Sequence, residues 1–289
     1  MTARSSLWLL AGIIVTGCNA ANSAPKDNGA KIASERLQEA FESSVRGESE
    51  RAIEQTSAAL EKNRGLADAY YIRGRELLLV GRIQEAVDDL DLYASMRPDE
   101  EMRQWERGIA YYYNGQYEEG ARQFALYQTY HDGDVENAVW HFLCTARHEG
   151  LDVARRQLMP VDHDPRVPLM EVFGLFQGNM EPDDVLDAAR AGDPAPEILA
   201  AHLFYAHLYL ALYYEALNQP DRTREYLVEA TRPLPDKAPA SRYMWRVAKL
   251  HLQRLDAQRS KRSKTAREES PAAAEPDASQ VAPPAADQQ

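Results

Sequence analysis

Between residues 33 and 257, apolar and polar positions follow the spacing of amphipathic helices, and small residues recur within that pattern every 34 residues. The recurring small residues form three columns, which are Ala40–Gly74–Gly108, Gly47–Gly81–Gly115 and Ala52–Ala86–Gly120. Small residues that keep their register over three copies indicate an internal repeat, and a period near 34 residues is typical of stacked helix pairs. The expected fold is therefore all-α.

The second copy shows the physical role of each recurring position most completely. Gly74 and Ala86 are small because the two helices of a pair are expected to cross closely there. Gly81 is expected to end the first helix in a left-handed conformation that suits Gly or Asn. Pro98 stops the second helix because it cannot continue the hydrogen-bond ladder. These positions match the tetratricopeptide repeat, whose stacks form extended binding surfaces.

The pattern predicts one helical solenoid over residues 33–257, with tetratricopeptide repeats at about 33–66, 67–100, 101–134 and 204–237. The first copy is the weakest, which suits a terminal unit because an end repeat lacks one neighbour. Residues 135–191 keep helical spacing but are interrupted by Pro160, Pro165 and Pro168, so we expect irregular helices there. A last amphipathic helix, at about 240–257, is expected to cap the exposed apolar face of the stack.

The first 18 residues indicate a lipoprotein signal rather than part of the fold. Leu7 to Val15 is an apolar run too short to span a bilayer as a helix, and it leads into Val15-Thr16-Gly17-Cys18. This run resembles a bacterial lipobox, in which the cysteine thiol takes diacylglycerol. An ordinary secretory signal with an incidental cysteine is the alternative. We expect a signal peptide over 1–17, lipid on Cys18 and a flexible tether over 18–32.

Residue 19, the net charge and the cysteine count restrict where the protein is expected to lie and what it is expected to bind. Asn19, where an Asp would favour inner-membrane retention, favours the outer membrane of a bacterial cell envelope. The formal net charge of -12 argues against a nucleic-acid partner, because phosphate binding needs a basic stripe. With Cys18 lipidated, Cys144 has no cysteine left to pair with, and its apolar surroundings predict a buried thiol. Residues 258–289 predict a disordered tail, Pro/Ala-rich after a basic cluster of Arg259, Lys261, Arg262, Lys264 and Arg267.

No motif assigns catalysis. The seven histidines include no His-Glu-x-x-His zinc helix, and the chain lacks a Gly-x-Ser-x-Gly elbow and a phosphate-cradling glycine loop. Asp162-His163-Asp164 precedes a proline, where a polar loop is a simpler interpretation than a metal site. We therefore predict no enzymatic activity, cofactor or metal. The alternative is a helical-repeat enzyme that acts on peptidoglycan.

The first helices of the stacked pairs are expected to line a concave face. In copies two and three the residues predicted to face it are Tyr71, Arg75, Leu78, Trp105, Ile109, Tyr112 and Tyr113. An aromatic groove with an arginine suits an extended or helical peptide, because Tyr, Trp and Arg dominate interface energetics. The alternative is that several of these aromatic residues pack against neighbouring helices.

Several short runs beyond the repeat positions occur in a particular order. They are Arg107–Gly115, Phe124–Gln128, Asp132–Asp134, Trp140–Leu143, Glu171–Asn179, Ala201–Leu203 and Tyr209–Tyr214. Together they resemble the new lipoprotein I family of tetratricopeptide lipoproteins, over roughly residues 67–255. The irregular stretch 135–191 is the most specific part of this resemblance. The basic and Pro/Ala-rich tail and the weak first repeat depart from the family.

The resemblance implies an outer-membrane adaptor that faces the periplasm and forms homodimers. It also implies scaffolding of peptidoglycan hydrolases, including delivery of a cell-wall endopeptidase to a processing protease. The repeats by themselves predict only a scaffold that binds proteins. An assembly factor for outer-membrane or secretion machinery would use the same repeats, and the sequence does not separate the two.

Overall fold

The computed structural model describes residues 26–269, and all regular secondary structure in this part of the chain is helical. A 3-10 helix, Pro98–Arg103, follows the second helix pair. The thirteen α-helices of the described residues are α1 (Lys26–Val45), α2 (Ser49–Lys62), α3 (Ala67–Leu79), α4 (Ile83–Met96), α5 (Trp105–Asn114), α6 (Tyr117–Gln128), α7 (Val135–His148), α8 (Leu151–Arg156), α9 (Leu169–Gln177), α10 (Pro182–Arg190), α11 (Pro196–Ala216), α12 (Pro220–Ala230) and α13 (Arg242–Glu269).

Consecutive helices pack in pairs, and each pair packs on the next from α1 to α8. The first helix of a pair ends at a residue with positive φ, as at Gly81 (φ 83°) and Gly115 (φ 80°). At Gly81 the chain reverses through backbone hydrogen bonds from Gly81 N to Leu78 O (3.0 Å) and from Arg82 N to Leu77 O (2.9 Å). Asn218 (φ 55°) takes the same role after α11, as the sequence predicts. The all-α repeat fold is confirmed.

Glycines let the helices of the stack approach closely. A Cβ atom on Gly108 of α5 would lie 2.6 Å from Cζ of Phe124 on α6, and one on Gly74 would lie 2.8 Å from Cγ of Leu90. One on Gly120 would lie 2.7 Å from Sγ of Cys144 in the next pair. These contacts leave no room for a methyl group, so the small residues are required by packing.

The last helices turn inward instead of extending the stack. In α11, five consecutive residues, Leu208–Leu212, are buried, so this helix is surrounded on all sides. The hydroxyl of Tyr209 on α11 donates to Glu136 of α7, and that of Tyr112 on α5 donates to Glu215 of α11. Helix α13 continues the same course, past α12 and across α3 and α5. It therefore covers the inner face of the repeats, and the predicted helix at about 240–257, expected to cap the exposed apolar face of the stack, forms the packed part of α13.

Both predicted flexible ends are partly helical. Helix α1 begins at Lys26, so residues 26–32 are not an unstructured tether, and α13 runs to Glu269, so residues 258–269 are not a disordered tail. Good helix formers allow a packed helix to continue beyond its last buried residue, and residues 258–269 are rich in Ala, Lys, Arg and Glu. The predicted signal peptide, Cys18 and the tail from residue 270 lie outside the described residues.

Candidate protein-binding groove

The residues predicted to bind a partner come together on one face, and that face is covered. We call this face the inner groove. It consists of the inward surfaces of α3 and α5 and the C-terminal end of α11, and it is lined by Tyr71, Arg75, Glu76, Trp105, Glu106, Ile109, Tyr112, Tyr113 and Glu215. Ile109 and Leu78 have no exposed surface, and Tyr112 and Tyr113 are 5% and 8% exposed. The expectation of an open groove is therefore wrong, because α11 and α13 fill it.

At one end of the inner groove an arginine lies between two tyrosine rings. The guanidinium carbon of Arg75 is 5.4 Å from the ring centroid of Tyr71 and 4.6 Å from that of Tyr243 on α13. Trp105 meets Tyr243 edge-on at 5.3 Å, and the Tyr243 hydroxyl donates to the carbonyl oxygen of Arg75 (3.3 Å). Tyr243 thus contacts two of the residues that the sequence assigns to partner binding, Arg75 and Trp105.

A buried carboxylate completes this end. Oε1 of Glu106 lies 3.0 Å from Nε of Arg75 and accepts a hydrogen bond from the Tyr71 hydroxyl (3.1 Å). Burial raises the pKa of Glu106, and the charge of Arg75 opposes that rise. The groove therefore presents both signs of charge next to aromatic rings, in a region from which α13 excludes water.

In the middle of the inner groove, α13 is bound to the first two repeats. The Arg246 guanidinium lies 3.2 Å from Oε2 of Glu76, whose side chain is almost fully buried. Ser49 contacts both of these groups, and Ser44 donates to Oε1 of Glu76 (2.6 Å). One arginine of α13 therefore neutralises a carboxylate of α3 that has no access to bulk water.

At the far end, a histidine of α13 connects α5 to α11. Nδ1 of His251 lies 2.9 Å from the Tyr113 hydroxyl, and Nε2 lies 2.9 Å from Oε2 of Glu215. Oε1 of Glu215 accepts hydrogen bonds from Tyr112 (2.9 Å) and Arg147 (3.0 Å). Burial by itself would raise the pKa of Glu215, but His251, Arg147 and Tyr112 together lower it to about 2. Glu215 is consequently a carboxylate over the whole physiological range.

Helix α13 is amphipathic and strongly basic. Between Arg242 and Lys264 it carries eight arginine and lysine residues and one acid, Asp256, in a chain whose net charge is -12. Its apolar stripe packs into the core, whereas Lys249 and Gln253 face solvent. The buried stripe consists of Met244, Val247, Ala248 and Leu250. The groove therefore holds α13 by burial of this apolar stripe together with the Arg246–Glu76 and His251–Glu215 contacts.

The remaining candidate chemistry is structural. Cys144 is buried, and burial raises the pKa of its thiol, so it packs as an apolar side chain. Residues 26–269 contain no group of three or more His, Cys, Asp or Glu residues placed to hold a metal ion. Over the same residues, no helix combines the length and the apolar character needed to cross a membrane.

The sequence predicts the helix at about 240–257, but not that it occupies the groove assigned to a partner. The side chains of α13 that fill it are Tyr243, Arg246, His251 and Arg254. The groove carboxylates that contact them are Glu76, through Arg246, and Glu215, through His251. A signal was present at Glu215, which follows the apolar run of α11 at a position where a charged residue is unusual.

Comparisons with known proteins leave the function open. No protein-family model and no curated protein matches the chain. Five chains of solved structures match it, among them the crystal structure of YrrB, described as a TPR protein with an unusual peptide-binding site. That chain is 17% identical, with a TM-score of 0.38, and the match covers 77% of this chain and 97% of YrrB. At this identity and TM-score, the match assigns neither a function nor a binding site to the present protein.

Proposed function

We propose that this protein is a lipid-anchored scaffold that binds other proteins through its inner groove. The observation that carries the proposal is the helix already bound there, since α13 is held by aromatic, apolar and charged contacts from three different helix pairs. A groove that binds one amphipathic helix has the shape and chemistry for a helical segment of a partner.

The anchor in this proposal is lipid on Cys18. Val15-Thr16-Gly17-Cys18 matches a lipobox, and the apolar run before it is too short to remain as a membrane helix. Several acyl chains would hold the mature chain at a bilayer, at about 0.8 kcal/mol per buried CH2. Asn19 supports the outer membrane, with the helical domain in the periplasm.

The partners in this proposal are peptidoglycan hydrolases and a periplasmic protease. Their support is the resemblance of the ordered runs from Arg107 to Tyr214 to the new lipoprotein I family. The homodimer that the resemblance implies belongs to the same proposal. Assembly of outer-membrane or secretion machinery is the competing role, and partner identity decides between them.

A non-enzymatic role is part of the proposal, because the carboxyl groups with the most shifted pKa values form contacts inside the fold. Burial raises the pKa of Glu136 to about 7, a value that would suit a general acid. Its side chain is only 12% exposed, however, and it is bound by Arg166 and by the hydroxyl of Tyr209. Such a group supports the packing of α7 on α11 and does not face a substrate cleft.

The test is crosslinking in cells followed by purification of the full-length chain and identification of the crosslinked proteins. Recovery of peptidoglycan hydrolases or a protease is the expected result, whereas recovery of pore or assembly components alone would replace the adaptor role. Trp105→Ala should reduce that recovery in a chain that stays folded, and Leu92→Ala, at an exposed site on α4, is the matched control. Unchanged recovery with folded Trp105→Ala would remove the inner groove from the proposal.

Two further readouts address the anchor and the absence of activity. Cys18→Ser should move the protein from the membrane fraction to the soluble fraction. Isolated cell wall in a zymogram should show no clearing by the purified protein alone. Clearing would contradict the scaffold and support a peptidoglycan-active enzyme.

A further inference from the structure

We infer that the inner groove is a site for a basic amphipathic helix of a partner protein, and that α13 occupies this site as a competitor from the same chain. The inference rests on the proposed function and adds the chemistry of the partner segment. It is carried by the charges of the groove, by the spacing of the anchors on α13 and by the way in which α13 is attached.

The groove requires a cationic occupant. Three glutamates face α13 along its length, and the side chains of Glu76, Glu106 and Glu215 are 1%, 3% and 17% exposed. A carboxylate buried without a counter-charge is strongly unfavourable. Arg75 of the groove itself pairs with Glu106, and Arg147 of α7 pairs with Glu215, whereas the ion pair of Glu76 is made by Arg246 of α13. His251 of α13 adds a second contact to Glu215. A neutral or acidic helix would leave Glu76 without the arginine of its ion pair and Glu215 without its contact to His251.

The spacing of the anchors describes the segment that fits. Tyr243, Arg246, Leu250 and Arg254 follow each other at intervals of three or four residues, so they lie on one side of α13. Tyr243 enters the site formed by Arg75 and Trp105, and Arg254 donates to the carbonyl oxygen of Tyr113 (2.9 Å). A competing helix needs an aromatic residue, then a basic residue three positions later, an apolar stripe and a second basic position.

The attachment of α13 allows it to leave without unfolding the helix pairs. Residues 231–241 connect α12 to α13 outside any helix, and eleven residues can extend to about 36 Å. Residues 257–265 of α13 are exposed, with Arg259 paired to the exposed Asp221. Tethering gives α13 an effective concentration on the order of millimolar, which a partner helix must overcome.

The experiment measures binding of a fluorescently labelled peptide with the sequence of residues 241–265 to the full-length protein. Tyr243→Ala/His251→Ala loosens α13 and leaves every groove residue intact. We expect this variant to bind the peptide at least tenfold more tightly than wild type. Gln253→Ala, on the exposed side of α13, is the matched control and should bind as wild type does.

Specificity is tested in the same assay. Adding Glu215→Gln to the loosened variant should weaken peptide binding at least fivefold. A scrambled peptide of equal charge should bind the loosened variant no more tightly than it binds wild type. Equal binding of the peptide to wild type and to the folded, loosened variant would overturn the inference. Binding of the scrambled peptide to the loosened variant with the affinity of the native peptide would overturn it as well. A loosened variant that dimerises and excludes the peptide would assign the groove to a second copy of the chain.

A second measurement needs only the wild-type protein and covers the case in which the loosened variant does not fold. Hydrogen exchange of α13 should accelerate when excess peptide is added, while exchange of α4 stays constant. Peptide binding with unchanged exchange in α13 would overturn the inference. If the peptide tests fail but partners are still recovered from cells, the protein is a scaffold that binds them through another face. Peptide binding without any recovered partner would instead remove the scaffold function.

Discussion

The contacts between successive helices of the stack differ in kind from the contacts between the inner groove and α13. At Gly108 and Phe124 the stack is dry and apolar, with a phenyl ring lying where a side chain would otherwise stand. Along α13 the central apolar stripe is flanked by arginine, histidine, glutamate and tyrosine groups. Polar groups released from the groove can be hydrated again, whereas apolar surfaces released from the stack cannot. The stack is therefore suited to hold the fold, and the groove is suited to exchange its occupant.

The largest expected effect tests the dry side of this comparison. Phe124 is 1% exposed and fills the space over Gly108, so Phe124→Ala should lower the free energy of unfolding by about 3–5 kcal/mol. Urea unfolding measures the change. Leu92→Ala, at a side chain that is 41% exposed, should stay within about 0.5 kcal/mol of wild type. Similar losses for the two variants would mean that the stack does not depend on this contact.

The next effect tests the polar side. Glu215→Gln removes the charge that His251 and Arg147 share, and should cost about 2–4 kcal/mol at neutral pH. Because the folded pKa of Glu215 is lowered from 4.5 to about 2, the native state binds fewer protons than the unfolded state between these values. Its contribution is complete above pH 4.5 and is lost as the pH falls towards 2.

Urea unfolding of wild type and Glu215→Gln between pH 6 and pH 2.5 checks this sign. The two free energies of unfolding should converge as the solution is acidified. A difference that is independent of pH would show that Glu215 acts through packing instead of through its charge.

A smaller loss is expected where two repeats meet. A methyl group on Gly120 would lie 2.7 Å from the sulfur of Cys144, so Gly120→Ala should cost about 1–3 kcal/mol. Cys144→Ala should recover part of that loss in the double variant, and a double-mutant cycle by urea unfolding measures the coupling. Strict additivity would contradict the contact. The wild-type thiol should also resist labelling until the protein unfolds, because it is buried.

The smallest expected loss of stability comes from removing a single hydroxyl group between α13 and the inner groove. Tyr243→Phe removes only the hydroxyl that donates to the Arg75 carbonyl, and keeps the ring against Arg75 and Trp105. We expect a loss of about 0.5–1 kcal/mol, together with faster hydrogen exchange confined to α13. Faster exchange throughout α3 and α4 would show that α13 is part of the cooperative core instead of a separable element.

Local physics explains what the sequence predicts well. Gly81 and Gly115 recur because the first helix of each pair ends in a left-handed turn, and Gly74 and Gly108 recur because a neighbouring side chain occupies the space of a Cβ atom. Each of these demands is met within one repeat, so a single period of 34 residues displays it. The residues that line the inner face followed from the same register.

The state of that face depends on contacts that no local pattern contains. Tyr71 and Trp105 show the same spacing whether solvent, a partner or α13 covers them. The clearest available signal was α11, whose run Leu208–Leu212 is apolar on every side and therefore belongs inside the molecule. Interpreted in that way, α11 predicts a filled groove and leaves no room for an open one.

The hydrogen bond from Tyr243 to Arg75 joins residues 168 positions apart, and this separation has a consequence for the order of folding. The early helix pairs can assemble from local contacts, whereas α13 must close a long loop before it reaches them. Until it does, the inner carboxylates remain hydrated and uncovered. A chain that is still folding therefore exposes its groove before α13 has bound there. The first segment to enter the groove can then belong to another protein.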